Sequence, residues 1–344
     1  MRLFHNDYNE ICHPAVLKKM QEKAELQMDG YGEDECCREA AAYIRQLCDR
    51  SNIGVHFLVG GTQANLTVIA AALRPHQAAI GAVSAHINVH ETGAIEATGH
   101  KVIGLESADG KITAQQVADA VDAHWADSTH EHIAQPKLVY ISHPTEFGTT
   151  YSLEELTELS QTCKKRGLYL FVDGARMGYG LMAEDSDVTL ADLAALTDVF
   201  YIGGTKVGTM FGEAVVIANP LINEDFRYLI KQRGGMLAKG WLLGIQFEAL
   251  FENDLYFEIS RHANRMADQI RAALAEKEYP LVVESKTNQV FATLPDSVLE
   301  KLGKEFTYAY WGRVDEQHST VRFCTSWATK REDVALLCAA IRTL

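Results

Sequence analysis

The chain is short of positive charge. Its 344 residues carry 32 Lys and Arg against 46 Asp and Glu, a formal net charge of −14. That balance speaks against nucleic acid or an anionic membrane as a partner, because both are held mainly by surplus cations. Long apolar runs are missing too. No stretch approaches the ~18 residues of a membrane-spanning helix. The opening residues Met1-Arg2-Leu3-Phe4-His5-Asn6-Asp7 lack the apolar core of a secretory signal. Seven cysteines, an odd number, include no CxxC pair, and adjacent Cys36-Cys37 suits neither a disulfide nor a zinc site. Reduced thiols in a cytoplasmic protein are the expectation. There are thirteen histidines but no HExxH motif, and His124, His130 and His132 fall in a polar stretch that reads as a surface loop. No metal site is expected. Repeats and low-complexity segments are absent.

The composition, 47% hydrophobic and 23% charged, is that of a globular protein, and the length suggests two domains. An extended arm leads into a helix over 15–26, opened by His13-Pro14. A glycine-hinged loop, Gly30-Tyr31-Gly32, and a helix over 37–49 follow. Strands are expected at 55–59, 78–83, 101–105, 137–141, 168–172, 198–202 and 212–218. Between them come helices at 64–73, 91–99, 114–125 and 153–166, with Thr113 and Ser152 as N-caps and Glu155 in capping-box position. This alternation implies an α/β fold, a mostly parallel sheet with helices on both faces. A helical stretch over 239–277, broken near Asn253-Asp254, bridges to a smaller α/β domain. There, strands are expected at 281–284, 289–294, 306–311 and 320–325, and helices at 297–302 and 331–344. The expected division is a large domain over 1–240 and a small one over 241–344.

Two strand ends carry the chemistry. The apolar run 168–172 ends in Asp173-Gly174-Ala175-Arg176, and the run 198–202 ends in Gly203-Gly204-Thr205-Lys206. In open α/β sheets ligands sit at the carboxyl edge of the strands. A lysine there, beside small residues and the Thr205 hydroxyl, suits Schiff-base chemistry, because desolvation lowers the amine pKa. An aspartate one strand earlier suits a cofactor ring nitrogen that must stay protonated. Pyridoxal phosphate needs that pair. Each motif taken singly also fits a solvated loop or a turn; their joint presence points to the cofactor. Gly60-Gly61-Thr62, between a strand and a helix, fits its phosphate through backbone N–H groups and the helix dipole.

The ordered motifs HNDYNEICHP, YGED, GGTQAN, AHINVHETG, FVDGARMG, GGTKVG and VRFCTSW span nearly the whole chain. In that order the sequence resembles the L-threonine aldolases. These are pyridoxal-phosphate enzymes of the β-eliminating lyase group, with the aspartate-aminotransferase fold (fold type I). The resemblance implies that Lys206 is the Schiff-base lysine, that Asp173 bonds the pyridinium, and that His86 stacks on the ring. It implies that Gly60, Gly61 and Thr62 hold the phosphate, and that Arg176 and Arg322 bind a substrate carboxylate. Asn6 stands where many members carry serine. Where many carry Glu-Asn-Thr-His-Asn, this chain reads Ser142-His143-Pro144-Thr145-Glu146-Phe147-Gly148. The general base is therefore open among His86, His143 and Glu146. On the phosphate side, Arg233 and Lys239 flank a Gly-Gly turn. The implied reaction is retro-aldol cleavage of a β-hydroxy-α-amino acid. β-Elimination, racemisation, transamination and a non-catalytic binding role are the rivals. The implied assembly is a homodimer or homotetramer with shared sites, Tyr31 reaching into the partner's.

Overall fold

The computed structural model describes all 344 residues. Twelve strands, numbered in chain order, form three sheets. The largest holds β2 (Gly54–Leu58), β3 (Gln77–Ala82), β4 (Lys101–Leu105), β5 (Gln135–Ser142), β6 (Tyr169–Asp173), β7 (Val199–Gly203) and β8 (Glu213–Ile217). Their spatial order is β2-β8-β7-β6-β5-β3-β4. Every pairing is parallel except those of β8, which runs antiparallel to both β2 and β7. Strands covered on both faces read as continuous apolar runs rather than alternating ones. That is the pattern of β6 and β7, where Phe171, Val172, Val199, Phe200 and Ile202 are all fully buried. The helices on either face are tied down locally. Both Thr113 and Ser152 form complete capping boxes, with Gln116 and Glu155.

A three-stranded antiparallel sheet, β11 (Ala309–Arg313), β12 (His318–Cys324) and β9 (Gln289–Pro295) in that order, builds the smaller part. A short parallel pair joins β1 (Arg2–Leu3) of the arm to β10 (Phe306–Thr307). There are two hydrophobic cores. The larger runs from Cys12 to Ala263, and the smaller gathers Met266 to Ile341 together with Phe4 from the arm. The core changes within one helix, Leu255–Glu276. The expected break lies just before it, where Asn253 and Asp254 take left-handed φ values of 56° and 58°.

Three expectations are corrected. The helix over 91–99 is a single turn, His86–Val89, followed by a 3-10 turn, Glu96–Thr98. Thr92 and Gly93, at φ 52° and 71°, interrupt it, and left-handed residues cannot continue a right-handed helix. The run 281–284 contributes one isolated bridge, Leu281 to Ala292. The run 306–311 splits at Tyr308 into β10 and the start of β11.

The Tyr256 hydroxyl fastens the long helix to the sheet. It donates to the Gly203 carbonyl at the end of β7 (2.9 Å) and accepts from the Gly178 N–H (3.0 Å). Replacing Tyr256 by Phe leaves both backbone groups buried without this partner. A loss of about 2 kcal/mol is expected, measured as urea-unfolding free energy. A variant as stable as the wild type would show that the hydroxyl is not a structural tie.

Candidate active site

Asp173, Lys206 and Glu213 reach one cavity because β8 is reversed: its first residue lies at the edge where β5, β6 and β7 end. The cavity measures about 350 Å3. Its wall includes Gly60, Gly61, Thr62, His86, Asp173, Arg176, Thr205 and Lys206. Four other candidates from the sequence do not line it: His143, Asn6, Tyr31 and Arg322.

Asp173 forms the floor. Its carboxylate accepts from the Tyr140 and Tyr201 hydroxyls, from Asn65 Nδ2 (3.0 Å) and from the Ala175 N–H (2.9 Å). Burial pushes its pKa up, but His86 and the two tyrosines pull harder, and the net direction is down. The carboxylate therefore stays ionised. Burial and the Asp173 charge push both tyrosines far above their usual range, so they remain donors. Gly174 makes the turn possible. A Cβ there would fall 1.9 Å from the Tyr201 carbonyl oxygen.

His86 hangs from the same network. Its Nδ1 lies 2.8 Å from Glu91 Oε1, and that oxygen also accepts from Asn65 (2.7 Å). One amide thus links the two carboxylates. The His86 N–H donates to Glu146 Oε1 (2.9 Å), as does the Ser142 hydroxyl (2.7 Å). Glu146 is pushed up by burial, against the Ser142 hydrogen bond. His143 instead lies fully buried behind the cavity. Its Nδ1 accepts from the Tyr151 N–H (3.3 Å), and burial lowers its pKa to about 4.

Lys206 sits three residues beyond β7. Burial and the nearby Arg176 charge lower its pKa, while Asp7, Asp173 and Glu213 oppose that. Arg176 is held by Asp7 of the arm, from Nε at 2.7 Å and Nη2 at 3.0 Å. Asn288 donates to Asp7 as well (2.9 Å). Arg322 sits beside the arm, with Nη1 to Gln289 Oε1 (3.0 Å) and Nη2 to the His5 carbonyl (2.9 Å). The Asn6 side chain caps its own turn, accepting from the Tyr8 N–H (3.1 Å). Tyr31 lies in the loop near Lys231, whose ammonium stands 4.9 Å from the ring centroid.

At the opposite end stands the first turn of the helix Gly61–Ala72. No side chain caps it, and Thr62 lies within the first turn rather than at the cap. A Cβ on Gly60 would meet nothing within 4 Å, so the approach to the helix N-terminus is open. Such a terminus favours a phosphate. An open phosphate cradle, an ionised aspartate on the floor and a buried amine between them fit pyridoxal phosphate. Fold and site together are those of a fold-type-I pyridoxal-phosphate enzyme.

The family model for the beta-eliminating lyases matches residues 11–297. A low specificity L-threonine aldolase of Pseudomonas aeruginosa is 31% identical over 98% of this chain and 96% of its own length. The solved structure of a Leishmania major threonine aldolase is 44% identical, covers 100% of this chain and 99% of its own, and superposes with a TM-score of 0.97. The aspartate aminotransferase of Thermus thermophilus, 16% identical at a TM-score of 0.71 over 97% of this chain and 89% of its own, shares the fold. The chain belongs to the beta-eliminating lyase family.

Reading the sequence alone leaves out Asp7, Asn65, Glu91, Tyr140, Tyr201 and Glu213. Asp7, Asn65 and Glu91 stand inside motifs already singled out, beside residues that were chosen. The others carried a different signal: a tyrosine or glutamate in an apolar strand must find a polar partner inside.

The Asp7–Arg176 pair makes stability depend on acid. Burial raises the Asp7 pKa, but Arg176 and Lys206 bring it down from 3.8 to about 2. The contribution is complete above the ordinary carboxylate value and is lost as pH falls through the lower one. An Asp7→Asn variant should be less stable by about 2–3 kcal/mol at neutral pH. The gap to wild type should close toward pH 2, by urea unfolding. A constant gap would assign the effect to something other than the charge pair.

Proposed function

We propose that this lyase cleaves L-threonine, L-allo-threonine and related β-hydroxy-α-amino acids to glycine and an aldehyde, with Lys206, Asp173 and His86 as its working residues. Bound pyridoxal phosphate supplies the electron sink for the Cα–Cβ bonding pair. The observation that carries the reading is the convergence of these three residues on one cavity, in a chain 44% identical throughout its length to a threonine aldolase structure.

Lys206 would hold the cofactor through its amine, and burial beside the Arg176 charge lowers the pKa of that amine, which favours its nucleophilic form. Asp173, ionised and held by four donors, keeps a proton on the ring nitrogen. Gly60, Gly61 and Thr62 present N–H groups to the phosphate, and Thr205 flanks it. His86 takes the β-hydroxyl proton at Nε2, because Nδ1 faces Glu91 and donates its hydrogen there. Glu146 accepts from the backbone N–H of His86 and so helps fix where the imidazole stands. His143 faces away, which favours His86 over it as the base. Arg176, which lines the cavity, and Arg322, beside the arm that carries Asn6, are read as the partners of the substrate carboxylate; each already has two of its three nitrogens bonded, Arg176 to Asp7 and Arg322 to Gln289 and the His5 carbonyl.

The site is read as shared between two copies of the chain, in a homodimer or homotetramer. Tyr8 borders the cavity yet is 56% exposed, and Ile11, Leu26 and Tyr31 of the same N-terminal stretch are exposed apolar side chains. A second copy would cover them and bring Tyr31 to its partner's cavity. The seven cysteines, all buried and unpaired, suit the cytoplasm.

Loaded protein incubated with either threonine isomer should give acetaldehyde and glycine in equal amounts. 2-Oxobutyrate in their place would move the reaction to β-elimination. His86→Asn should lower kcat by about 10²–10⁴-fold while the cofactor's absorbance persists; an unchanged kcat would remove His86 as the base. Mixing inactive Lys206→Ala and Tyr31→Ala chains should restore part of the activity, since one hybrid site carries neither change. No recovery from subunits shown to exchange would overturn the shared site.

A further inference from the structure

Glu213 is a buried acid that the mechanism above does not use. It opens β8, is 4% exposed, and pairs in register with Gly203 of β7 and Leu58 of β2. Its side chain lines the cavity that holds Lys206. Oε2 accepts from the Gly204 N–H at 3.0 Å, and the neighbouring Thr205 side chain also favours the carboxylate form.

These contacts fall on the loop 204–212 that carries the lysine. Gly204 and Thr205 both donate to the Gly212 carbonyl (3.0 and 3.1 Å), and the Gly212 N–H returns a bond to Thr205 Oγ1 (3.1 Å). Gln246 accepts from the Met210 N–H (2.7 Å), and the Tyr179 hydroxyl donates to the Lys206 carbonyl (2.6 Å). Gly212 takes φ +128°, where a Cβ would also meet Leu243 at 2.8 Å. The loop is pinned along its length, and Glu213 pins its start.

We propose that Glu213 is a positioning residue for Lys206: its carboxyl accepts from the Gly204 N–H and so latches the start of the loop that aims the amine into the cavity. The inference rests on Lys206 being the lysine that takes the cofactor. The groups acting on Glu213 come from four elements. Lys206 lies on its loop, Asp173 at the end of β6, Tyr201 on β7 and Tyr256 on the helix Leu255–Glu276. The helix Trp241–Phe251 presents Leu243, Gln246 and Phe247 to the loop, none of them charged.

Burial raises Glu213 to about 8 and outweighs Thr205, the Gly204 N–H and Lys206, which pull it down. Burial and Arg176 push Lys206 the other way. An acid and an amine buried together, without a close ion pair, favour the form in which neither is charged. Asp173 cannot take this part. Its four donors keep it ionised, and its charge helps keep the proton on Glu213.

The test is uptake and retention of pyridoxal phosphate by the stripped protein, followed by its absorbance at neutral pH. Glu213→Gln keeps an acceptor for Gly204, so it should take up the cofactor as the wild type does. Glu213→Ala removes the acceptor, and its cofactor should leave about tenfold faster on dilution, the effect of one lost hydrogen bond to a buried N–H; the Gln variant should retain it. A Gln variant that loses cofactor as fast as the Ala variant overturns the assignment of the latch to the Gly204 hydrogen bond. An Ala variant that retains cofactor like wild type overturns the latch. A wild-type protein that takes up no cofactor refutes the Lys206 assignment instead, and the inference with it.

Discussion

A carboxylate that must remain charged inside the protein is the constraint from which the site follows. Moving a carboxylate out of water is costly unless donors replace the lost hydration. Asp173 meets that demand from four places: Tyr140 on β5, Tyr201 on β7, Asn65 on the helix after β2 and the backbone at Ala175. Three adjacent strands and a helix are thereby fixed relative to one charge. Asn65 extends the same order to Glu91 and so to His86. A ligand meeting Asp173 and His86 meets groups that belong to a single hydrogen-bonded unit.

The cavity sorts its acids by what each is given. Asp7 has a guanidinium fork and falls to about 2. Asp173 has four donors and also falls. Glu146 and Glu213 receive only a few neutral donors, and both rise. The four carboxyls in and around the cavity thus divide into two whose pKa values fall and two whose values rise. Environments that separate the pKa values of like groups are how one site performs both acid and base chemistry.

Much of this was legible before any coordinates. The two long apolar strands announced a sheet covered on both faces, and the residues just beyond them had to lie at its working edge. Asp173 and Lys206 were visible for that reason. The reversal of β8 was not, because an apolar strand reads the same in either direction. Glu213 was therefore hidden, since only an antiparallel strand brings its first residue to that edge. The Thr92-Gly93 interruption was masked by helix-forming neighbours. His143 looked equivalent to Glu146 three residues on, until the turn after β5 sent one into the core and the other to the cavity. The pairing of Asp7 with Arg176 joins positions 169 residues apart, which no local pattern can express.

The arm that carries Asp7 has a further meaning for assembly of the chain. Its β1 pairs with β10, the Cys324 N–H donates to the Phe4 carbonyl at 2.7 Å, and Phe4 is packed in the smaller core. These partners lie more than 300 residues downstream. During synthesis the arm must stay undocked until β10 and β12 have been made. The large sheet can condense meanwhile, but Arg176 waits without its carboxylate and the site lacks one wall. Completion of the catalytic pocket is thus a late event, timed by the arrival of the C-terminal strands, so a chain interrupted before β12 would have a sheet and a lysine but no finished site.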